Sequence, residues 1–494
     1  MSESSFNLID EKWIPVVPDG RASLKDIFSD FSLATLGGDP RQKIALLKLF
    51  QAIAQAANTP TNAEEWAALG AEGLARSCLA YLEKWHDRFF LYGERPFLQM
   101  PVSEAKALSI ASLEPQIASG NNQRLTHIQC ERELDDGEKA LVLLTQSSMC
   151  LGGKRADKSV SLAKNYVKKA TAPYGPGLGY LGLLHSIITG NSIMETIWLN
   201  LLTQDIIEQM GAFPAGLGTP PWEEMPETET CPIAERLRNS LQGRLIPLAR
   251  FCLLDGDMAH YTDGVPHKNN QDGVWDPSAA AQPDGKGYKI LWADPEKRPW
   301  RSLSALLAFL YVDSKNSYNC AQLKTALSRM NLAGPDTFGI WCGGVKVSAN
   351  SGEQRVTGNN DYVESEARLS RNDIDNEAWF ARFAKEMERL EKLEKALYAC
   401  VMRYYREQKS DGKGEAARAT GFFWEKAETQ FQRLIDACGE GENLPEIRGI
   451  FSGLMRECYD YVCPQESPKQ LSVWAANRPR TKIFLTRETG DGQQ

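Results

Sequence analysis

Beyond Arg371 the chain becomes a succession of amphipathic helices, and this restricts the folds open to it. The stretch "NEAWFARFAKEMERLEKLEKALYACVMRYYREQ" sets Phe383, Met387, Leu390, Leu397, Val401 and Tyr404 in a near-heptad apolar stripe. Such a stripe needs other helices to cover it. "SDGKG" ends the first helix, and a second is predicted over 415–437, with Phe422, Phe423, Phe431, Leu434 and Ile435. "GEGENLP" precedes a third over 445–463, with Ile447, Ile450, Phe451, Leu454 and Met455, and "PQESP" precedes a fourth over 469–486. Four such helices on short Gly/Pro loops predict an antiparallel four-helix bundle.

Residues 1–370 read differently. "FNLIDEKWIPVV" is strand-like and closes on the turn signal Pro-Asp-Gly. "PRQKIALLKLFQAIAQAA" has helical spacing, with Ile44, Leu47, Leu49, Ile53 and Ala56 largely on one face. "EGLARSCLAYLEKWHDRFFLY" continues as helix up to "GERP", and Ile193–Leu202 reads as a buried helix. Gly/Pro-rich breaks interrupt the rest. The fold class expected is α+β: a large irregular mixed N-terminal domain over 1–370, then the helical bundle over 371–494.

Chemistry is constrained mainly by what is missing. The formal net charge is −8, unlike a free-standing, non-specific DNA binder. The 11 cysteines form no C-x-x-C pair, so no zinc ribbon or redox motif is read, and no metal or cofactor is expected. The N-terminus lacks the basic and apolar regions of a secretory signal, and no apolar run approaches a membrane span. A reduced, cytoplasmic protein is the expectation. The five histidines stand in no metalloprotease pattern, and no G-x-S-x-G or Walker A sequence occurs. His260, Asp263 and His267 lie close in sequence but on what reads as a polar loop, which fixes no ligand geometry. "GLGYLG" at Gly177–Gly182 matches a dinucleotide fingerprint, but no buried strand precedes it; it reads as a turned approach to a helix "YLGLLHSII".

Four segments depart from this background. In "LGGKRADKSVSLAKNYVKKA", Lys154, Arg155, Lys158, Lys164, Lys168 and Lys169 face a single acid, Asp157, and Tyr166 offers a stacking surface. Gly152 and Gly153 allow the backbone a close approach to a partner, such as a DNA minor groove; a solvated helical face and a plain turn are the other readings. The loop "YTDGVPHKNN" carries Lys268, and "KRPWRSL" carries Lys297, Arg298 and Arg301 beside Trp300, either for phosphate contact or for capping a helix. "GGVKVSANSGEQRVTGNNDYVES" reads as a β-hairpin with a small polar tip running from Asn350 to Gln354.

"FNLIDEKWIPV", "RFFLYGERPFLQM", the polar hairpin and the helical C-terminus together resemble the large subunit of the type I-E CRISPR Cascade complex, the CasA family. The resemblance implies a non-catalytic subunit of an RNA-guided assembly. Such a subunit reads the protospacer-adjacent motif (PAM) of double-stranded DNA from the minor groove and helps open the duplex for guide pairing. Its implied partners are the other Cascade subunits, the CRISPR guide RNA, the DNA target and a helicase-nuclease recruited afterwards. By position, Gly152 and Gly153, with Lys154 beside them, resemble the glycine loop and Lys268 the lysine finger. Asn350 and Gln354 fall on the wedge hairpin. Backbone contacts are expected from Arg155, Lys158, Lys164, Lys168 and Lys169, and guide contacts within Asn121–Glu138. A stand-alone enzyme with an unrecognised site, or a structural scaffold, are the alternatives.

Overall fold

The computed structural model describes residues 5–18, 20–100, 106–113, 133–150, 182–267, 276–284, 287–311, 318–350, 353–355, 361–440 and 443–480. The chain divides into two compact units: Met1–Pro295 with Asp313–Glu366, and Glu296–Val312 with Ala367–Gln494. The segment Glu296–Val312, read from sequence as part of the first domain, thus belongs with the C-terminal helices.

The first unit is built around helix Pro40–Ala57. Asp39 caps it, its carboxylate accepting from the backbone N–H groups of Arg41 and Gln42 while the Gln42 side chain returns to the Asp39 N–H. Burial runs unbroken from Ile44 to Gln55, polar positions included, where the sequence suggested a single apolar face. The reason is the helix's surroundings: helices Ala63–Lys84, Asp136–Ser148, Ile193–Leu199 and Leu241–Leu245 and strand Thr337–Val345 all pack on it. The buried Gln55 amide is accordingly bonded. Gln55 donates to the Leu202 carbonyl (2.9 Å) and accepts from the Leu202 N–H (3.0 Å).

Strand Thr337–Val345 is the middle of a three-stranded sheet, between Tyr362–Ser370 and His185–Thr189. Its pairing with His185–Thr189 is antiparallel, from Gly339 opposite Thr189 to Gly343 opposite His185. The expected helix "YLGLLHSII" is therefore a strand over its second half. A short run buried on both faces does not distinguish helix from strand by periodicity, and "HSIIT" is buried at four successive positions. A second antiparallel sheet orders Ala107–Ser109, Met258–Asp263 and Arg250–Asp255. His260 and Asp263 thus lie on a strand, not on a polar loop. Its core joins Ile110, Ala111, Leu134, Val142 and Ala259.

The two stretches nearest the N-terminus that carried the family resemblance are one structural piece. The Leu8 N–H donates to the Phe89 carbonyl (2.9 Å), the Leu91 N–H to that of Phe6 (2.8 Å), and Asn7 bridges Phe90. Trp13, almost fully buried, donates its indole N–H to the Leu8 carbonyl. Gln99 bonds the Leu91 carbonyl and receives the Leu254 N–H, both at 2.7 Å. These motifs are scaffold.

The second unit contains helices Glu377–Glu407, Lys413–Glu428, Phe431–Glu440, Leu444–Val462 and Pro468–Asn477. All six stripe residues named for the first are buried, and that helix packs against each of the other four. The expected second helix is broken at Thr429–Gln430 into two pieces. Trp300 from the Glu296–Val312 segment packs on Phe431 (ring centroids 4.5 Å) and Trp424 (5.5 Å). Among the described residues no helix is long and apolar enough to cross a membrane.

Candidate nucleic-acid interface

Gly152, Gly153, Lys154, Arg155, Lys158, Lys164, Lys168, Lys169 and Lys268 lie outside the described residues, as does most of Asn121–Glu138. The chain on either side of these segments is described, and it fixes where they are rooted. Residues 151–181 follow helix Asp136–Ser148 and end at Gly182. Residues 268–275 follow strand Met258–Asp263 and end at Asp276. At their starts, the Ala249 N–H donates to the Ser147 carbonyl (2.9 Å), while the Ala249 and Leu248 carbonyls accept from Gly264 and Val265 (3.1 and 2.9 Å). Both departures are therefore tied to the short segment Leu248–Ala249.

Their returns meet at strand His185–Thr189. Gly182 leads into it through Leu183 and Leu184. Asp276 leads to Ser278, whose carbonyl accepts from the Ser186 N–H (2.8 Å), and Ala279 bridges His185. The other edge of this strand pairs with Thr337–Val345, the stem of the polar hairpin. The Gly152–Gly153 segment, the Lys268 segment and the polar hairpin thus share one root. The fit there is close. Gly182 has φ +73°, and a Cβ on it would sit 2.6 Å from the Val345 carbonyl oxygen, so no other residue is accommodated without moving the hairpin stem. A Cβ on Gly344 would sit 2.6 Å from the Leu183 oxygen.

The hairpin has a three-pair ladder: Ser348 opposite Arg355, Ala349 opposite Gln354, Asn350 opposite Glu353. Below it the Lys346 N–H donates to the Asp361 carbonyl (2.7 Å). Two residues, 351 and 352, separate the paired strands in sequence. Gln354 therefore stands one register position back from the end, where the sequence reading put it within the tip. Asn350 is in the last pair.

A buried charge cluster holds the shared root. Lys48 Nζ and Asp276 Oδ1 are 2.6 Å apart, both side chains fully buried. Ser278 donates its N–H (2.8 Å) and hydroxyl (2.6 Å) to the same carboxylate oxygen, and its hydroxyl lies 2.8 Å from His185 Nδ1. Burial alone would raise the Asp276 pKa; Lys48, followed by His185 and Arg244, overcomes it and holds the carboxyl well below its usual range.

His267, next to Lys268, is buried and donates through Nε2 to the Pro247 carbonyl (2.5 Å). Burial, helped by Arg244 and Arg238 and opposed by that hydrogen bond, pushes its pKa down to about 3. Unfolded histidine titrates near 6.5, so between the two values the unfolded chain binds a proton that the folded chain refuses. Stability contributed by His267 is full above about pH 6.5 and is lost as pH falls toward 3. Urea melts at pH 7 and pH 5 are expected to differ by up to about 1.4 kcal/mol per pH unit on this account, and His267→Gln to remove that part of the slope. An unchanged slope would contradict it.

The remaining candidates take structural places. Asp263 pairs with buried Arg250 (2.5 Å), and among the described residues no group of three His, Cys, Asp or Glu side chains is set to hold a metal ion. Arg298 pairs with Glu428 (3.1 Å), and Arg301 lies over the Trp424 ring (3.7 Å) and beside Glu394, so both brace the helical unit. The sequence reading missed Lys48 and Asp276. A signal was present: a lysine inside the apolar run "IALLKLF" of a core helix requires a buried anion.

Solved structures share this fold. Cse1 of Thermobifida fusca aligns over 97% of both chains (18% identity, TM-score 0.76). CasA of Thermus thermophilus aligns over 97% of this chain and 99% of that one (19%, 0.72). A chain of a "CRISPR RNA-guided surveillance complex" aligns over 98% and 100% (18%, 0.68). The architecture is thus that of Cse1/CasA proteins. In sequence, the family described as CRISPR-associated protein Cse1 matches residues 7–456, and the chain belongs to that family. The curated CasA/Cse1 protein of Thermus thermophilus is 28% identical over 328 residues, a match spanning 62% of this chain and 61% of that relative. The family resemblance read from the sequence is borne out.

Proposed function

We propose that this chain is the large, non-catalytic subunit of a type I-E RNA-guided CRISPR surveillance complex, reading the PAM in double-stranded DNA and starting its opening. The observation that carries the reading is the common root on His185–Thr189: the Gly152–Gly153 segment, the Lys268 segment and the polar hairpin all leave or return there. Glycines let backbone approach the minor groove, and Lys268 supplies a cation near phosphate. Minor-groove readout is degenerate, so several related motifs are tolerated. Wedging the hairpin costs a few kcal/mol of lost stacking. Replacing DNA duplex by guide–target heteroduplex is near balance, so a small local bias starts it. Guide contacts fall within Asn121–Glu138, and Arg155, Lys158, Lys164, Lys168 and Lys169 follow the DNA backbone. The helical unit forms a four-helix bundle for neighbouring subunits, with Phe431–Glu440 as a continuation of its second member. A helicase-nuclease is recruited once the duplex is open.

The test is target-duplex binding by the reconstituted guide complex carrying Lys268→Ala. Loss of discrimination between duplexes with and without the PAM, at fixed salt, is expected. Discrimination unchanged in this variant and in Gly152→Val/Gly153→Val would favour a scaffold.

A further inference from the structure

Of the described tryptophans, only Trp292 is exposed (42%). Its backbone is nonetheless clamped. Trp292 bridges Leu183, the Leu291 N–H donates to the Ala280 carbonyl (3.1 Å), and the Ala293 N–H donates to that of Gly182 (2.8 Å). Ala293 is buried against the hairpin stem, where a Cβ on Gly344 would come within 2.9 Å of its own. Among the described residues no hydrogen bond or ring contact engages the indole. A cation stands nearby in the chain fold: Lys346, the first residue beyond the stem strand, pairs loosely with Asp294 (3.7 Å) while 42% of its side chain is exposed.

We infer that Trp292 is a stacking platform for an unpaired nucleobase released beside the hairpin, with Lys346 exchanging Asp294 for the adjoining phosphate. The inference rests on the reading of the hairpin as a duplex opener. A single exposed aromatic is ordinary on a protein surface. This one is distinguished by a backbone hydrogen-bonded at the hairpin root and by a ring that no described residue stacks on. Stacking on an aromatic is tolerant of sequence, as a PAM-proximal site next to any target requires, and a paired base within a duplex has no free face to offer.

The experiment uses the reconstituted complex with the full chain as wild type, Trp292→Ala and Trp292→Phe. A PAM-bearing duplex carries 2-aminopurine at the first opened positions, in the guide-paired strand in one arm and in the displaced strand in the other. Wild type and Trp292→Phe are expected to quench the probe in one arm, which identifies the strand. Trp292→Ala leaves it bright and shortens the life of the opened state about tenfold, the loss of one stacked base. Normal opening with the same fluorescence and lifetime for wild type and Trp292→Ala in both arms overturns the inference alone. A wild-type complex that opens no PAM duplex overturns the functional reading and this inference with it.

Discussion

Replacing Lys48 by methionine is expected to lower the stability of the N-terminal unit by about 3–5 kcal/mol, because it removes the ion-pair partner of the fully buried Asp276 carboxylate. The pair lies inside the core helix's surroundings, fully buried, so solvent screening does not soften the loss. Replacing both partners, Lys48→Met with Asp276→Leu, is expected to recover much of it, although Ser278 then loses its acceptor. Asp276 closes the segment that begins with Lys268, so Lys48→Met should also weaken PAM discrimination at temperatures where the chain remains folded. Urea melts of wild type and the two variants measure the first effect. A loss below about 1 kcal/mol for Lys48→Met, the range of an exposed pair, would remove the cluster from its anchoring role.

The hairpin carries the second large effect. Excising 348–355 in favour of a Gly-Gly connection is expected to leave the fold intact, since the ladder forms its own two-stranded sheet beyond the stem. In the reconstituted complex the excision should slow opening of a PAM-bearing duplex more than tenfold, corresponding to the few kcal/mol of unstacking the wedge supplies. Initial PAM binding should change far less. Gln354→Ala acts in the same direction with smaller size, because it removes donor and acceptor but keeps the strand in place. Permanganate reactivity of thymines next to the PAM reports opening, and a filter-binding assay reports the initial complex. Equal opening by wild type and the excised variant would contradict the wedge.

How legible this was in the sequence varied with the physics involved. The helix Pro40–Ala57 could be read because proline opens it, Asp39 caps it and its apolar residues recur at helical spacing. The stripe of Glu377–Glu407 was equally plain, since local periodicity decides it. The break at Thr429–Gln430 was not, because no glycine or proline marks it. Strand His185–Thr189 was misread for a related reason: burial on both sides erases the alternation that identifies a strand. The hairpin was visible through its turn residues, but register depends on pairing between strands, so the position of Gln354 opposite Ala349 appears only in the structure. Of the site, composition exposed the local excess of cations after Gly153. That Gly182, Asp276 and the hairpin stem converge on one strand is a matter of long-range topology, which no local pattern encodes.

The most direct test of the central claim is binding of target duplexes by the guide RNA–protein complex, reconstituted with and without this chain, at one fixed salt concentration. Duplexes with and without a PAM are compared in parallel. PAM-dependent binding and opening are expected only when the chain is present. Equal, PAM-independent binding in both reconstitutions, or failure of the chain to join the complex, would contradict the claim.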